Sequence, residues 1–353
     1  GPPAQHAEKG GLRHMLELKN ISKTFNPGTV NEKYALHGLS LSVPDRDFIT
    51  IVGANGAGKF TLFGAISGSF LTDSGEILLD GTNIWQDKKT TRESRFRVGL
   101  VKKYHGDKVL SLQNIELPHA GVPQIVYEHN ALPFSEYKFR PQEAFSPWYS
   151  QQILGRMMKR SIRRAEQVLV QTNWMKEEIV RQCKIPAERV QVKFPPVEML
   201  KTDPWQMEEG HTVFFFPAGP PAYKNHRTFL KACELLKKRG CTDWEVVWTL
   251  IGDENDGIRV LKKEAEEKAL PIRFVGMMSR EDLFAQYARS VLVFPSYIET
   301  IGLPLLEARS VGAPILAADC LYARDGVGDY EKAEFFETFD AKKLSEMMER
   351  FCR

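Results

Sequence analysis

A glycine-rich loop near the start of the chain carries residue types that bind phosphate. Residues 53–59 read GANGAGK and lie between an apolar run and a predicted short helix. Glycines let backbone N–H groups turn toward a phosphate, the helix N-terminus adds a positive dipole, and a lysine reaches the outer phosphates. Phe60 stands where a Ser or Thr hydroxyl would ligate Mg²⁺. We predict nucleotide binding without hydrolysis; the alternative is a glycine turn without a ligand. The residues expected to contact the nucleotide are Gly53, Asn55, Gly56, Gly58, Lys59 and Thr61.

A second group of chemistry-bearing residues follows apolar runs later in the chain. His129 ends the run QIVYEH, Lys224 follows TVFFFPAGPPAY, and Glu299 and Glu307 have seven residues between them. The lysine ammonium group is a cation that suits an anionic ligand, and carboxylates accept hydrogen bonds from hydroxyl groups. Ligands of doubly wound folds bind where the carboxyl ends of strands meet. The alternatives are a structural histidine, a surface lysine and a solvated pair of glutamates.

The predicted secondary structure that positions these residues changes near Thr90, from strands to alternating helices and strands. Before it, short and partly alternating apolar runs predict the strands LELKNISKTF, YALHGLSLSV and DFITIVG. After it, segments with helical spacing alternate with nearly continuous apolar runs such as TVFFFPA, SVLVFPS and APILAAD. This alternation predicts parallel sheets covered by helices on both faces. A stretch rich in proline and charge at residues 195–211 is the predicted linker.

Length and composition favour two ordinary domains in a reducing compartment. The chain has 353 residues, 42% of them hydrophobic, and a formal net charge of +3. So small a positive excess gives no support to nucleic-acid binding. Five cysteines without a C-x-x-C pair argue against a disulfide framework or a structural zinc site. No apolar run is long enough to span a membrane, so we expect a cytoplasmic protein.

Four motifs in the first hundred residues share the order and spacing of a known family. They are LELKNISKTF, ALHGLSLSV, FITIVGANGAGKFTLFGAISG and DSGEILLDGTNI. Together they resemble the start of an ATP-binding-cassette (ABC transporter) ATPase, and the resemblance implies ATP at the phosphate loop with Phe25 stacked on adenine. It ends near Asn83, and no signature motif or switch histidine follows. The later run WTLIGDE is interpreted as a strand end and a turn rather than as a Walker B carboxylate.

Three segments after residue 100 carry a second resemblance. They are VPQIVYEHNALPF, FPAGPPAYKNHRTFLKA and FPSYIETIGLPLLEARSVGAPILAAD. Together they resemble a retaining GT-B glycosyltransferase of the group 1 family, also called family 4. The resemblance implies two Rossmann-like domains and a nucleotide-diphosphate-sugar donor.

The same resemblance implies a role for each candidate residue. His129 would contact a sugar hydroxyl and stabilise charge at the anomeric carbon, and Glu299 would face the donor sugar or its phosphate. Pro220 and Pro221 stand where the family often has an arginine, so diphosphate binding would rest on lysine and backbone groups. The expected donor-binding residues are Lys224, Gly302 and Leu303 for the diphosphate, Glu307 for the ribose and Gly276 for the base.

A basic stripe lies on a predicted helix at residues 156–164. Polysaccharide glycosyltransferases often use lipid-linked acceptors, so the stripe would contact an anionic membrane surface. The alternative is a solvated helix face over a core. The basic residues are Arg156, Lys159, Arg160, Arg163 and Arg164.

These observations combine into one predicted organisation. Residues 1–14 form a tag or linker, 15–97 a partial ABC ATPase segment, 98–204 the remainder of a GT-B acceptor domain, and 205–353 the donor domain. The fold class is α/β, with two Rossmann-like parallel-sheet domains of GT-B type, the first partly replaced by a β-rich P-loop ATPase segment.

The predicted function is retaining transfer of a sugar from a nucleotide-diphosphate donor to a saccharide or lipid-linked acceptor, in polysaccharide biosynthesis. No metal is required for this transfer, and the replaced opening segment is expected to impair activity. One alternative is an ATP-binding P-loop module with a vestigial transferase part and little or no hydrolysis. Another is a recombined chain with folded domains and no activity.

Overall fold

The chain folds into two compact units, residues 1–104 and 105–353. The structure is a computed structural model and describes residues 14–25, 33–44, 58–66, 70–79, 81–83, 97–99, 101–102, 105–197, 199–207 and 209–352. Each unit has a buried apolar cluster of its own. One cluster lies within residues 18–77 and the other within residues 126–348.

The first unit contains an antiparallel sheet and a short helix. Its strands pair in the order β2-β1-β3-β4. Two of the three runs predicted as strands form β1 and β2, whereas DFITIVG lies outside the described residues. The elements are β1 (His14–Phe25), β2 (Lys33–Pro44), α1 (Lys59–Ile66), β3 (Ser74–Leu79) and β4 (Thr82–Asn83).

The second unit begins with a four-stranded parallel sheet, here called the four-stranded half. Its strands pair in the order β5-β6-β7-β8. In α3, residues at helical spacing (Gly155, Met158 and Ile162) are buried, which places the basic residues on the opposite face. The elements are β5 (Val109–Ser111), β6 (Gln124–Glu128), α2 (Phe145–Tyr149), a π-helical turn (Ser150–Leu154), α3 (Gly155–Arg164), β7 (Gln167–Val170), α4 (Asn173–Cys183) and β8 (Val190–Val192).

The rest of the second unit is a six-stranded parallel sheet with helices between its strands, here called the six-stranded half. The order β11-β10-β9-β12-β13-β14 reverses direction between β9 and β12, which is the doubly wound arrangement. The elements are β9 (Thr212–Phe216), α5 (His226–Lys238), β10 (Trp244–Trp248), α6 (Asp256–Glu267), β11 (Ile272–Phe274), α7 (Arg280–Tyr287), β12 (Ser290–Phe294), α8 (Leu303–Ser310), β13 (Ile315–Ala318), α9 (Leu321–Val327), β14 (Ala333–Phe336) and α10 (Ala341–Glu349).

Continuous apolar runs explain why these strands form the centre of the unit. All residues of β9, β12 and β13 are buried, so helices must cover both faces of the sheet. The predicted linker at 195–211 has no regular structure where it is described, and Trp205 fixes it to the six-stranded half. The Trp205 indole N–H donates to the Ser290 carbonyl over 2.8 Å. Within the described ranges, no helix combines the length and apolarity that a membrane crossing requires.

Candidate functional site

Lys224 and Glu299 meet at the point where the strand order of the six-stranded half reverses. Lys224 ends a 3₁₀ turn after β9, and Glu299 lies in the loop after the neighbouring strand β12. The Lys224 ammonium group donates to Glu299 Oε1, and the Ser296 hydroxyl donates to the same oxygen over 2.8 Å. Both charged side chains are less than a fifth exposed. The crevice therefore holds a cation and a carboxylate side by side.

Three further hydrogen bonds hold these loops in place. The Tyr297 backbone N–H donates to the Tyr223 carbonyl over 3.0 Å, which joins the loop after β12 to the loop after β9. Asn225 adopts a left-handed backbone with φ +63°. Its side-chain amide donates to the carbonyl oxygens of Pro295 at 3.1 Å and Thr338 at 2.7 Å. Burial, together with the Glu299 charge, raises the pKa of Tyr223.

His129 approaches this crevice from the four-stranded half. It directly follows β6, and its carbonyl oxygen accepts a hydrogen bond of 2.9 Å from the Thr300 hydroxyl. Its backbone N–H donates to the Asn114 side chain over 2.8 Å, and its ring lies 5.6 Å from the ring of Tyr127. Partial loss of water around the ring lowers the pKa of His129, which favours the neutral imidazole. The backbone of His129 thus lies one hydrogen bond from the residue after Glu299.

Glu307 is a buried carboxylate in α8 rather than an open ligand group. It is 3% exposed, and its two oxygens accept from the Arg280 guanidinium at 2.5 Å and from the Tyr287 hydroxyl at 2.9 Å. Burial, with the neighbouring Glu307 charge, raises the pKa of Tyr287 well above its ordinary value. Each carboxylate oxygen has two lone pairs and accepts one of these hydrogen bonds, so each keeps one further acceptor position.

Gly302 and Leu303 form the start of α8 next to the ion pair. Gly302 has φ +73°, and a Cβ at this position would lie 3.0 Å from the ring of Tyr322. Leu303 is exposed, and the first backbone N–H groups of any helix have no partner within the helix. The N-terminus of α8 therefore directs its dipole toward the same crevice.

Gly276 lies two strands away from this group, in the loop after β11. Its φ is +71°, and its N–H donates to the Leu250 carbonyl over 3.0 Å. A Cβ on Gly276 would lie 3.4 Å from Ile251, which is exposed, as is Met277. The structure brings Gly276 to the same carboxyl edge of the sheet and gives it no direct contact with Lys224 or Glu299.

The run WTLIGDE contains the last residue of β10 and the turn that follows it. The two oxygens of Glu254 accept hydrogen bonds from the backbone N–H groups of Ile251, at 2.6 Å, and Gly252, at 3.0 Å. The carboxylate therefore closes the turn that follows β10, as expected for a strand end.

The phosphate loop of the first unit is described only at its end. Gly58 has φ +83°, and a Cβ there would lie 2.3 Å from the Ala35 carbonyl oxygen, so only glycine fits. Lys59 begins α1 and Thr61 is half-buried within it. Phe25 packs edge-on against Phe70, with ring centroids 5.4 Å apart. Gly53, Asn55, Gly56 and the side chain of Phe60 lie outside the described residues.

The basic stripe of α3 is partly occupied by contacts within the four-stranded half. Lys159 donates to Gln182 over 2.7 Å, Arg163 donates to the Cys183 carbonyl, and Arg164 pairs with Glu116 at 3.1 Å. Four basic residues of the stripe are exposed, beside Met157, which is 53% exposed; they are Arg156, Arg160, Arg163 and Arg164.

Four residues of the site are absent from the sequence-based expectations. Ser296 and Thr300 flank Glu299, and hydroxyls on both sides of a candidate catalytic carboxylate are the signal that could have indicated them. Arg280 and Tyr287 are seven residues apart and so share a face of α7, but only the fold shows that this face meets Glu307.

Two family models match the chain in separate segments. The model described as Glycosyl transferases group 1 matches residues 202–353, and the model described as ABC transporter matches residues 36–186. The second range extends further than the segment 15–97 predicted for it and includes β5, β6, β7 and α4. The resemblance to two families is confirmed.

Curated relatives match the first part of the chain. An energy-coupling factor transporter ATP-binding protein of Clostridium perfringens is 33% identical over 89 residues, which are 25% of this chain and 31% of that protein. A tyrosine transport ATP-binding protein of Clostridioides difficile is 40% identical over 89 residues, 23% of this chain and 34% of that protein. The chain thus spans about a third of the length of these relatives.

Solved structures match about three quarters of the chain in fold. A lipopolysaccharide outer core galactosyltransferase in its apo form gives a TM-score of 0.56 at 16% identity, over 74% of this chain and 70% of that chain. The Anabaena protein HepE in complex with UDP-glucose gives 0.52 at 14% identity, over 73% and 71%. The fold class predicted from the sequence, α/β with parallel sheets of GT-B type and an ABC-like β segment at the start, is confirmed. The chain therefore joins a segment similar to ATP-binding-cassette ATPases to a segment that is similar to group 1 glycosyl transferases and has the GT-B fold.

Proposed function

We propose that the chain is a retaining glycosyltransferase that binds a nucleotide-diphosphate sugar at the carboxyl edge of the six-stranded half. The observation that carries this proposal is the Lys224–Glu299 pair in the crevice between β9 and β12. Doubly wound folds bind their ligands in this crevice. The complex of the Anabaena protein with UDP-glucose, a neighbour of the same fold, supports a donor of this class.

Each residue then has a role that follows from its charge and position. The donor diphosphate replaces Glu299 as the partner of Lys224, and the N–H groups of Gly302 and Leu303 bind its remaining oxygens. Glu299, once released, faces the donor sugar. These groups stabilise the diphosphate as it leaves, so the proposal assigns no metal to the transfer. Glu307 holds the ribose, and Gly276, with exposed apolar neighbours, lies against the base.

His129 lies on the side of the donor sugar opposite Glu299. Its neutral imidazole hydrogen-bonds a sugar hydroxyl and stabilises the positive charge that develops at the anomeric carbon. The four-stranded half that carries it also binds the acceptor, a saccharide or a lipid-linked saccharide in polysaccharide biosynthesis. The exposed residues Arg156, Met157 and Arg160 suit contact with an anionic cytoplasmic membrane surface.

A second candidate function is ATP binding at the phosphate loop of the first unit. It is supported by the ABC transporter match and by Gly58, whose backbone only glycine can adopt. Because Phe60 replaces the magnesium-binding hydroxyl, we expect no ATP turnover above background, with a coupled phosphate-release assay as the measurement.

The experiment that tests the transferase proposal combines calorimetry with a donor hydrolysis assay. The full chain is titrated with UDP-sugars, GDP-sugars and ATP, and we expect a sugar nucleotide to bind and to be hydrolysed slowly, because the opening part of the acceptor domain is replaced. His129→Ala should abolish this hydrolysis and keep donor affinity within about tenfold, since a contact made mainly in the transition state affects rate more than binding. Binding of ATP alone would contradict the proposal and favour the second candidate.

A further inference from the structure

Thr300 ties the loop that follows β12 to the four-stranded half. Its hydroxyl donates to the carbonyl oxygen of His129 over 2.9 Å. Its own carbonyl oxygen accepts from the Trp174 indole N–H at 2.7 Å and from the Thr172 hydroxyl at 3.2 Å. Trp174 and Thr172 are 6% and 8% exposed, so little water competes for the two bonds to the Thr300 carbonyl, whereas the bond to His129 is exposed. One residue thus takes part in three hydrogen bonds between the two halves.

The place of Thr300 in the chain links the two candidate catalytic residues. Glu299 directly precedes it, and Cα atoms joined by a trans peptide bond are about 3.8 Å apart. The backbone of His129 is one hydrogen bond from the Thr300 hydroxyl. The path from Glu299 to His129 therefore contains one peptide bond and one side-chain hydrogen bond.

A second contact holds the halves together without the Thr300 hydroxyl. Asp325 in α9 accepts a hydrogen bond of 3.1 Å from the backbone N–H of Trp174, in the first turn of α4. A carboxylate is stabilised at a helix N-terminus by the helix dipole. Removal of the hydroxyl therefore leaves the Asp325 contact and both bonds to the Thr300 carbonyl in place, and it releases only the link to His129.

We propose that Thr300 is a positioning residue that sets the spacing of His129 and Glu299. Its effect on turnover rests on the proposed transferase function, whereas the coupling of the two segments exists without a donor. Reacting groups must lie within a narrow range of distances, so a small displacement slows the chemical step. Donor affinity changes little because Lys224 and Glu307 keep their places.

The first arm of the test measures hydrogen exchange in the full chain without ligand. Thr300→Val keeps the shape and removes the donor, Thr300→Ser keeps the donor, and Thr242→Val makes the same change at an exposed threonine before β10. We expect Thr300→Val to speed exchange about fivefold in both segments, 128–132 and 296–302, as for the loss of one hydrogen bond. Thr300→Ser and Thr242→Val should match the wild type. Faster exchange in one segment alone, or in neither, overturns the proposal.

The second arm measures donor hydrolysis and donor affinity in the same variants. Thr300→Val should lower kcat about fivefold and leave Kd within about twofold, and Thr300→Ser should restore kcat. Unchanged kcat in Thr300→Val, or an equal loss in both Thr300 variants, overturns the positioning role. If the wild type binds no sugar nucleotide, the proposed function is wrong, and the exchange arm still decides whether Thr300 couples the two segments.

Discussion

Glu128, the last residue of β6, is a carboxyl group with no access to water. Its Oε1 accepts from the Asn130 backbone N–H at 2.9 Å, while Oε2 has no hydrogen-bond partner among the described residues. Burial raises the pKa of Glu128 from 4.5 to about 8, and the Asn130 hydrogen bond opposes this shift. The side chain is therefore neutral in the folded protein at pH 7. Because it directly precedes His129, its ionisation would place an unpaired buried charge beside the candidate site.

Because Glu128 is buried, we predict that the stability of the protein depends on pH. Replacing Glu128 with glutamine, the amide of the same shape, should remove this dependence. Unfolding lets Glu128 ionise above pH 4.5, whereas the folded protein keeps it protonated up to about pH 8. The free energy of unfolding should therefore fall as pH rises through this window, by several kcal/mol in total. In Glu128→Gln this part of the fall should be absent, as measured by urea unfolding at pH 5.5 and 8.5. Glu188→Gln, at an exposed position, serves as the control; equal pH dependence in both variants would contradict the assignment.

At the scale of the element, α8 depends on the glycine before it. Gly302 has φ +73°, and a Cβ there would approach both the Tyr322 ring and Leu305 to about 3 Å. Gly210 has φ +74° with no atom within 4 Å of a Cβ position. The two glycines therefore share the same backbone strain, and only Gly302 adds close contacts.

The comparison of these two glycines gives a prediction about α8. Gly210→Ala should cost about 1 kcal/mol of stability through backbone strain alone. Gly302→Ala should cost more, about 2–3 kcal/mol, and should weaken diphosphate binding because the N-terminus of α8 must shift. Thermal unfolding and calorimetry measure the two effects. Equal losses of stability in both variants, with unchanged affinity, would show that α8 does not shift.

The sequence predicts most strands because a strand buried on both faces needs a continuous apolar run. TVFFFPA and SVLVFPS coincide with β9 and β12, whose residues are all buried. β14 (Ala333–Phe336) is missed because it has only four residues and one of them is exposed at the edge of the sheet. Short edge strands carry too little pattern to be distinguished from loops.

The sequence predicts which residue types form the site, but it predicts fewer of the contacts between them. Lys224 and Glu299 are each expected at a strand end from the sequence, and the fold places them in an ion pair. Arg280, as the partner of Glu307, and Thr300, as the link to His129, depend on which surfaces face each other. No local pattern of residue types contains that information.

At the scale of the molecule, the described residues form two separate apolar cores. The cluster of the second unit lies within residues 126–348 and includes none of the residues that form the core of the first unit. A fragment of residues 105–353 should therefore fold alone and keep its affinity for a sugar nucleotide. Calorimetric unfolding should show, for this fragment, a transition within a few degrees of one seen in the full chain. A fragment that is unfolded, or that has lost donor binding, would contradict this separation.

The central claim is that a nucleotide-diphosphate donor binds at Lys224. The most direct test compares the binding of nucleoside diphosphates with that of nucleosides. Calorimetry of the full chain compares UDP and GDP with uridine and guanosine, in the wild type and in Lys224→Ala. Lys263→Ala, which removes an exposed lysine of α6, is the matched control. We predict that Lys224→Ala weakens the bound diphosphate about 10- to 100-fold, as for a lost hydrogen bond to a charged group, and leaves the nucleoside unchanged. Equal diphosphate affinity in the wild type and Lys224→Ala would place the donor site elsewhere and contradict the account.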